Sequence, residues 1–114
     1  MVPSSAGAVA LVAFPFSDLT QTKVRPAVVL ASSGRSDWIL CQITSNAYAD
    51  ARAVLLDNGS FSFGSLRTVS YARPGKLFTA NVSLISSEIG ILDQTAFGLV
   101  LTAVVSLLQP KPTN

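Results

Sequence analysis

The chain has 114 residues, 49% hydrophobic and 12% charged, with a net charge of +2. That length holds a single core, and that balance excludes disorder. Its eight Lys and Arg are scattered without a basic run, which permits contact with a polyanion without requiring it.

Ala8 to Phe16 is rich in Val, Leu and Phe and reads as a first strand that Pro15 ends or bends. Ser17 to Lys23 is a polar loop, and Arg25 to Ala31 is a second strand. Ser32 to Asp37 is a turn cluster, after which Trp38 to Ile43 forms a third strand ending in Thr44-Ser45-Asn46. Ala53 to Leu56 is a fourth strand. Asp57-Asn58-Gly59 is the signature of a tight hairpin. Phe61 and Phe63 alternate with serines, Gly64 follows, and Ser65 to Ala72 continues as a strand. Arg73-Pro74-Gly75 predicts a bend and Lys76 to Thr79 a short strand. Asn81 to Ser86 predicts a single helical turn, and Ile89 to Leu92 a last strand. Asp93 is positioned as a helix N-cap for Phe97, Val100, Leu101, Val104, Val105 and Leu108, which recur at helical spacing up to Pro110. This helix has almost no charged face, so the sheet or another subunit must cover most of its sides.

Short strands with close turns and one terminal helix predict a mainly β domain, a small, strongly bent antiparallel barrel with a C-terminal helix. Residues 1–114 form one domain with its core at about 7–108 and a frayed tail at 109–114. Met1 to Gly7 carries no positive charge ahead of an apolar stretch, against a secretory signal. The longest apolar run, Ala96 to Leu108, is too short for a bilayer of ~30 Å, so no membrane is expected and a cytoplasmic location is the default.

The chain has no histidine, so proton transfer near neutral pH must proceed without imidazole. Its six acids, Asp18, Asp37, Asp50, Asp57, Glu88 and Asp93, are spread singly, which gives little support to a carboxylate pair or a two-metal site. No metal or other cofactor is expected. Cys41, the sole cysteine, lies in an apolar segment and reads as a small buried hydrophobe. Arg25 stands at the mouth of a valine-rich strand, beside a polar loop and ahead of Pro26. A guanidinium held there is placed to grip phosphate bidentately, or simply to solvate the strand end; the residues alone leave both open.

Five stretches in order carry a resemblance: Phe14-Pro15-Phe16-Ser17-Asp18-Leu19, Arg25-Pro26-Ala27-Val28-Val29, Gln42-Ile43-Thr44-Ser45, Arg73-Pro74-Gly75-Lys76-Leu77-Phe78-Thr79 and Ile89-Gly90-Ile91-Leu92. Together, from about Gly7 to Leu108, they resemble the PemK/MazF family of toxin endoribonucleases of type II toxin–antitoxin pairs. The resemblance implies an SH3-like barrel with a C-terminal helix, usually a homodimer. It implies metal-independent cleavage of single-stranded RNA at short motifs, leaving a 2′,3′-cyclic phosphate and a 5′-hydroxyl. It also implies a cognate antitoxin whose flexible segment occupies the RNA groove, with operator DNA bound only through the toxin–antitoxin complex. Arg25 matches the family's catalytic arginine, Thr44 the threonine ending the third strand, and Arg73, a weaker candidate, an arginine that some members use to stabilise the reacting phosphate. Two departures stand out. Ala8 replaces an acid that many members carry after the first glycine, and Gly75 replaces an aspartate proposed for proton transfer in some, which shifts the burden to Arg25 and Thr44.

The inventory of residues fits a reaction in which the substrate's own 2′-hydroxyl attacks, which requires RNA and excludes DNA as a cleaved substrate. Arg25 would neutralise charge developing on the scissile phosphate, and Thr44 would donate its hydroxyl to a non-bridging oxygen. Arginine is a poor base, its pKa exceeding ~12, so a modest rate is expected. Lys76 is a candidate backbone contact, and Lys23 and Ser45 are further candidates for holding RNA. Asp18 and Gln21, in a loop expected to close over the substrate, are candidates for reading bases. Gln42 faces either the groove or a dimer partner. Trp38, Tyr48, Phe61 and Tyr71 are candidates for stacking on bases, although in so apolar a chain each is more often core. Two other readings compete. A gyrase poison of the CcdB type shares the barrel, but its activity resides at a helix end usually marked by tryptophan, absent from Ser106 to Gln109. In a non-catalytic SH3-like binding module, Arg25 and Thr44 would have no reason to approach each other.

Overall fold

The computed structural model describes residues 1–15 and 22–111. The strands are β1 (Ala8–Pro15), β2 (Thr22–Gly34), β3 (Asp37–Thr44), β4 (Val54–Leu56), β5 (Phe61–Gly64), β6 (Ser70–Asn81) and β7 (Ile85–Leu92), and helix α1 (Gln94–Leu108) closes the chain. They form one antiparallel sheet in the order β4-β6-β3-β2-β1-β7-β5, curled into a half-barrel. The expected fold class, mainly β with a C-terminal helix, is the one observed.

The curl explains the unbroken apolar run at the centre of β2. Val28 shares a core with Val9, Cys41, Ile43 and Val100, between the sheet and α1. Ala27 and Val29 join Ala10, Val12, Leu40 and Ile85 in a second core on the other face. A strand buried on both faces is apolar throughout rather than alternating. Register shifts between Val29 and Ala31 in β2, and between Val9 and Ala10 and between Leu11 and Val12 in β1, are the irregularities that bend such a sheet.

Three predicted elements come out differently. Asp57-Asn58-Gly59 is not a hairpin turn, because β4 pairs with β6 while β5 pairs with β7. The Asp57 carboxylate accepts the Gly59 N–H at 2.9 Å and Ser60 Oγ accepts the Asp57 N–H at 3.1 Å, a reciprocal cap on a 3-10 turn, Asn58–Ser60. Side-chain capping outweighs the Asn-Gly turn preference here. The expected strand from Ser65 is instead a loop up to Val69, with β6 starting at Ser70. Gly64, at φ +71, turns the chain out of β5 where it lies against Gly90 of β7.

The predicted bend at Arg73-Pro74-Gly75 is a bulge inside β6 rather than a break. Pairing jumps from Ala72–Ile43 to Leu77–Cys41, so Arg73 to Lys76 span the width of one residue of β3. Pro74 is buried there and offers no N–H to the ladder. Cys41 Sγ donates to the Arg73 carbonyl at 3.2 Å, and burial pushes its thiol up to about 12. Cys41 is thus the buried small hydrophobe expected.

Asp93 caps α1 as predicted, its Oδ1 accepting the Ala96 N–H at 2.7 Å. The sheet buries only Ala96, Val100 and Val104, with Phe97 partly covered against the same core, and leaves Leu99, Val105 and Leu108 at least half exposed, so the expected cover on most sides does not come from the sheet. Residues 112–114 of the predicted frayed tail lie outside the described residues. Among the described residues no helix is long and apolar enough to cross a membrane.

Candidate functional site

Strand register decides which polar side chains meet. β1 pairs Val12 with Arg25 and Leu11 with Pro26, holding the start of β2 against a buried neighbour. β2 pairs Ala27 with Gln42 and Val28 with Cys41. Carried on by two residues, that register brings Arg25 level with Thr44 on the same face of the sheet. Pro26 donates no ladder bond at this point, and Thr44 pairs on its other side with Tyr71 of β6.

Arg25 and Thr44 both line a groove of about 680 Å³. One wall comes from β2 and the end of β3, through Val24, Ile43 and Ser45. The facing wall comes from the loop after β5, through Ser65, Arg67 and Thr68. Tyr48, in the segment after β3, completes the lining. Two guanidiniums and several hydroxyls face the cavity, and among the described residues no carboxylate lines it. Such a lining favours an anion with several oxygens over a cation. Among the described residues no cluster of His, Cys, Asp or Glu could hold a metal ion.

Thr44 is nearly buried, and its Oγ1 accepts the Asn46 N–H at 3.2 Å. With an acceptor position so used, the hydroxyl proton remains for an acceptor in the groove. Arg25 is half-buried and forms no ion pair among the described residues. A guanidinium stiffened at its base, with no carboxylate partner among the described residues, is prepared for an anionic ligand.

The other predicted site residues separate. Ser45 lines the groove beside Thr44. Arg73 is not in the groove lining; its Nε donates to Asp50 Oδ2 at 3.1 Å, and its Cζ lies 5.3 Å from the centre of the Tyr48 ring. The Arg52 backbone N–H and the Arg73 guanidinium together hold the Asp50 carboxyl below the usual carboxylate range. Lys23 is exposed on β2, opposite Phe14, and Gln42 is half-buried opposite Ala27; neither lines the groove. Lys76 is exposed in the β6 bulge, also away from it. Gly75, beside it, faces Leu107 of α1, so an acid at this position would not stand in the described lining. Asp18 and Gln21 lie outside the described residues, as does most of the loop expected to close over the substrate.

Arg67 is the functional candidate that sequence reasoning missed, because Ser65 to Ala72 read as strand. The signal was present in Gly64-Ser65 ahead of an isolated arginine, which is loop chemistry. Arg67 is exposed and also borders a second, smaller hollow of about 470 Å³ with Asp57 and Asn58. The two hollows share Leu66, Arg67 and Thr68 and so adjoin along this loop.

Comparison with known proteins bears on the family and the fold. The model of the PemK-like, MazF-like toxins of type II toxin–antitoxin systems matches residues 5–108. No curated protein matches the chain. Among solved structures, a MazE–MazF complex from Deinococcus radiodurans superposes with a TM-score of 0.76 at 20% identity, over 95% of this chain and 96% of that one. The Mycobacterium tuberculosis toxin MazF-mt6 gives 0.68 at 17% identity, over 87% and 93%. An endoribonuclease in complex with its cognate antitoxin from a mycobacterial species gives 0.69 at 15% identity, over 97% and 98%. At these identities the superpositions establish a shared fold.

Proposed function

Since the chain belongs to the PemK-like, MazF-like family of type II toxin–antitoxin toxins, we propose that it is an endoribonuclease acting on single-stranded RNA through the groove between β2, β3 and the loop after β5. The observation that carries this reading is the convergence of Arg25 and Thr44 on one cavity lined by cations and hydroxyls.

In this mechanism the scissile phosphate lies between the Arg25 guanidinium and the Thr44 hydroxyl. The 2′-oxygen attacks phosphorus, the bond from phosphorus to the 5′-oxygen breaks, and a 2′,3′-cyclic phosphate remains. The 2′-hydroxyl proton passes to solvent, and the leaving 5′-oxygen gains one from solvent. Arg25 neutralises charge as the phosphorane forms, and the Thr44 proton is donated to a non-bridging oxygen. Removing one such donor typically costs ~100- to 1,000-fold in rate. Arg67 holds a neighbouring phosphate, which lengthens the contact along the strand.

Regulation follows by similarity. Several structural neighbours are complexes, among them MazE–MazF and an endoribonuclease with its cognate antitoxin, and a cognate antitoxin that covers this groove is the proposed partner. The chain acts as a homodimer, consistent with the exposed Leu99, Val105 and Leu108 of α1, which invite an apolar partner. Incubation with single-stranded RNA in EDTA tests the activity. Fragments ending in a cyclic phosphate and beginning with a 5′-hydroxyl are expected, and Arg25→Ala should abolish them. RNA left intact by the unaltered protein, with or without divalent metal, would contradict the reading.

A further inference from the structure

Four aromatic side chains are candidates for base stacking, and the structure separates one of them. Trp38, Phe61 and Tyr71 are half-buried and do not line the groove. Tyr48 lines it with 62% of its surface exposed. A ring retained for packing would be covered, and this one is not.

Its position is nonetheless well determined. Tyr48 and Ala49 both have left-handed backbone, at φ 53 and 55, a conformation that residues other than glycine rarely adopt. The segment is wound back onto Thr44: the Asn46 N–H donates to Thr44 Oγ1, and the Tyr48 N–H donates to Asn46 Oδ1 at 2.9 Å. Further on, the Asp50 N–H donates to the Ala47 carbonyl at 2.9 Å, and the Asp50 carboxylate is tied to Arg73 on β6. Arg73 also places its cation over the Tyr48 ring, an attraction between charge and π-face that stiffens the ring.

Building on the RNA reading above, we propose that Tyr48 is a stacking platform for the nucleobase adjoining the phosphate held by Arg25 and Thr44. Arg73 is its positioning residue and not a phosphate contact. The arrangement unites two needs. An exposed ring accepts any base face, and a rigid link from Tyr48 to Thr44 sets the distance between the stacked base and the reacting phosphate. Arg73 suits the supporting role because Asp50 occupies its Nε and partly neutralises its charge.

The test reads binding separately from cleavage by using a single-stranded RNA that is 2′-O-methylated throughout and so has no attacking hydroxyl. Bases are removed one at a time, and affinities are measured for the unaltered protein, Tyr48→Ala, Tyr48→Phe, Arg73→Ala and the Ala double variant. Thermal melting confirms that each variant is folded. Tyr48→Ala should weaken binding roughly tenfold or more, and Tyr48→Phe should stay within about twofold. One abasic position should cost the unaltered protein a similar factor and cost Tyr48→Ala little. Arg73→Ala should weaken binding only where Tyr48 is present. The proposal is overturned if every abasic position affects the unaltered protein and Tyr48→Ala equally, or if Arg73→Ala has its full effect without Tyr48. No binding by the unaltered protein would overturn both the platform and the RNA reading. The expected base-by-base pattern without cleavage of unmodified RNA would support the platform and overturn the nuclease reading alone.

Discussion

Arg25 at the mouth of β2 and Thr44 at the end of β3 each lie two residues beyond the last β2–β3 pair, Ala27–Gln42, and open onto the same groove. Neither side chain is brought there by a local motif. Arg25 is placed by pairing with β1, and Thr44 by pairing with β6. The register of four strands therefore sets where the two residues meet the groove, and positional error is limited by the stiffness of a sheet buried on both faces.

Arg67 stands on the opposite wall, so replacing it should weaken RNA binding without altering the reacting group. Arg67→Ala is expected to lower affinity for single-stranded RNA severalfold. It should also flatten the slope of log affinity against log salt by about 0.7, the value for one lost phosphate contact on a single strand. Titrations across a range of salt concentrations check this; parallel slopes would remove Arg67 from the RNA path. Because Arg67 is exposed, stability should change by no more than about 0.5 kcal/mol.

The segment carrying Tyr48 should loosen in acid. Asp50 titrates below the usual carboxylate range because the Arg52 N–H and then the Arg73 guanidinium favour its charged form. A carboxyl depressed in the folded state contributes stability that is present above its unfolded value and lost as pH falls through the folded one. Urea unfolding midpoints should therefore drop more steeply below pH ~4 for the unaltered protein than for Asp50→Asn. Equal slopes would show that the Asp50–Arg73 pair contributes nothing to the fold.

Gly64 is the substitution expected to damage the fold directly, by displacing β7 and not by removing a side chain. A Cβ there would run into the Ile89 carbonyl, and φ +71 already disfavours any side chain. Since the obstacle is backbone in a paired strand, β7 would have to shift. Gly64→Ala should cost about 1–3 kcal/mol, read as a lowered melting temperature. An unchanged melting temperature would mean that β5 is not held against β7 as described.

Most of the strands, the α1 cap and the buried Cys41 were legible because they rest on local signals: apolar runs, turn residues, and an aspartate ahead of a helical period. Arg25 stood out locally as a strand-mouth guanidinium with phosphate binding and simple solvation both open, whereas Thr44 came only through the resemblance, since nothing local says that residues nineteen apart share a groove. What escaped depends on tertiary choices. Asp57-Asn58-Gly59 had a good hairpin signal, yet strand pairing and a side-chain cap took it elsewhere. Arg73 entered as a weaker phosphate candidate through the resemblance, and its salt bridge to Asp50 and its place over Tyr48 are cross-strand facts without a sequence signature. Arg67 was hidden by a loop mistaken for strand.

The proposed cleavage depends most on Arg25 and Thr44 serving one phosphate, and a double-variant cycle on single-turnover cleavage of single-stranded RNA tests that directly. Arg25→Ala and Thr44→Val, the latter keeping the volume of a nearly buried side chain, should each slow cleavage at least ~100-fold. Their combined effect should fall well short of the product of the two, because groups acting on one transition state are not independent. Cleavage by Arg25→Ala at the unaltered rate, or losses that multiply in full, would contradict it.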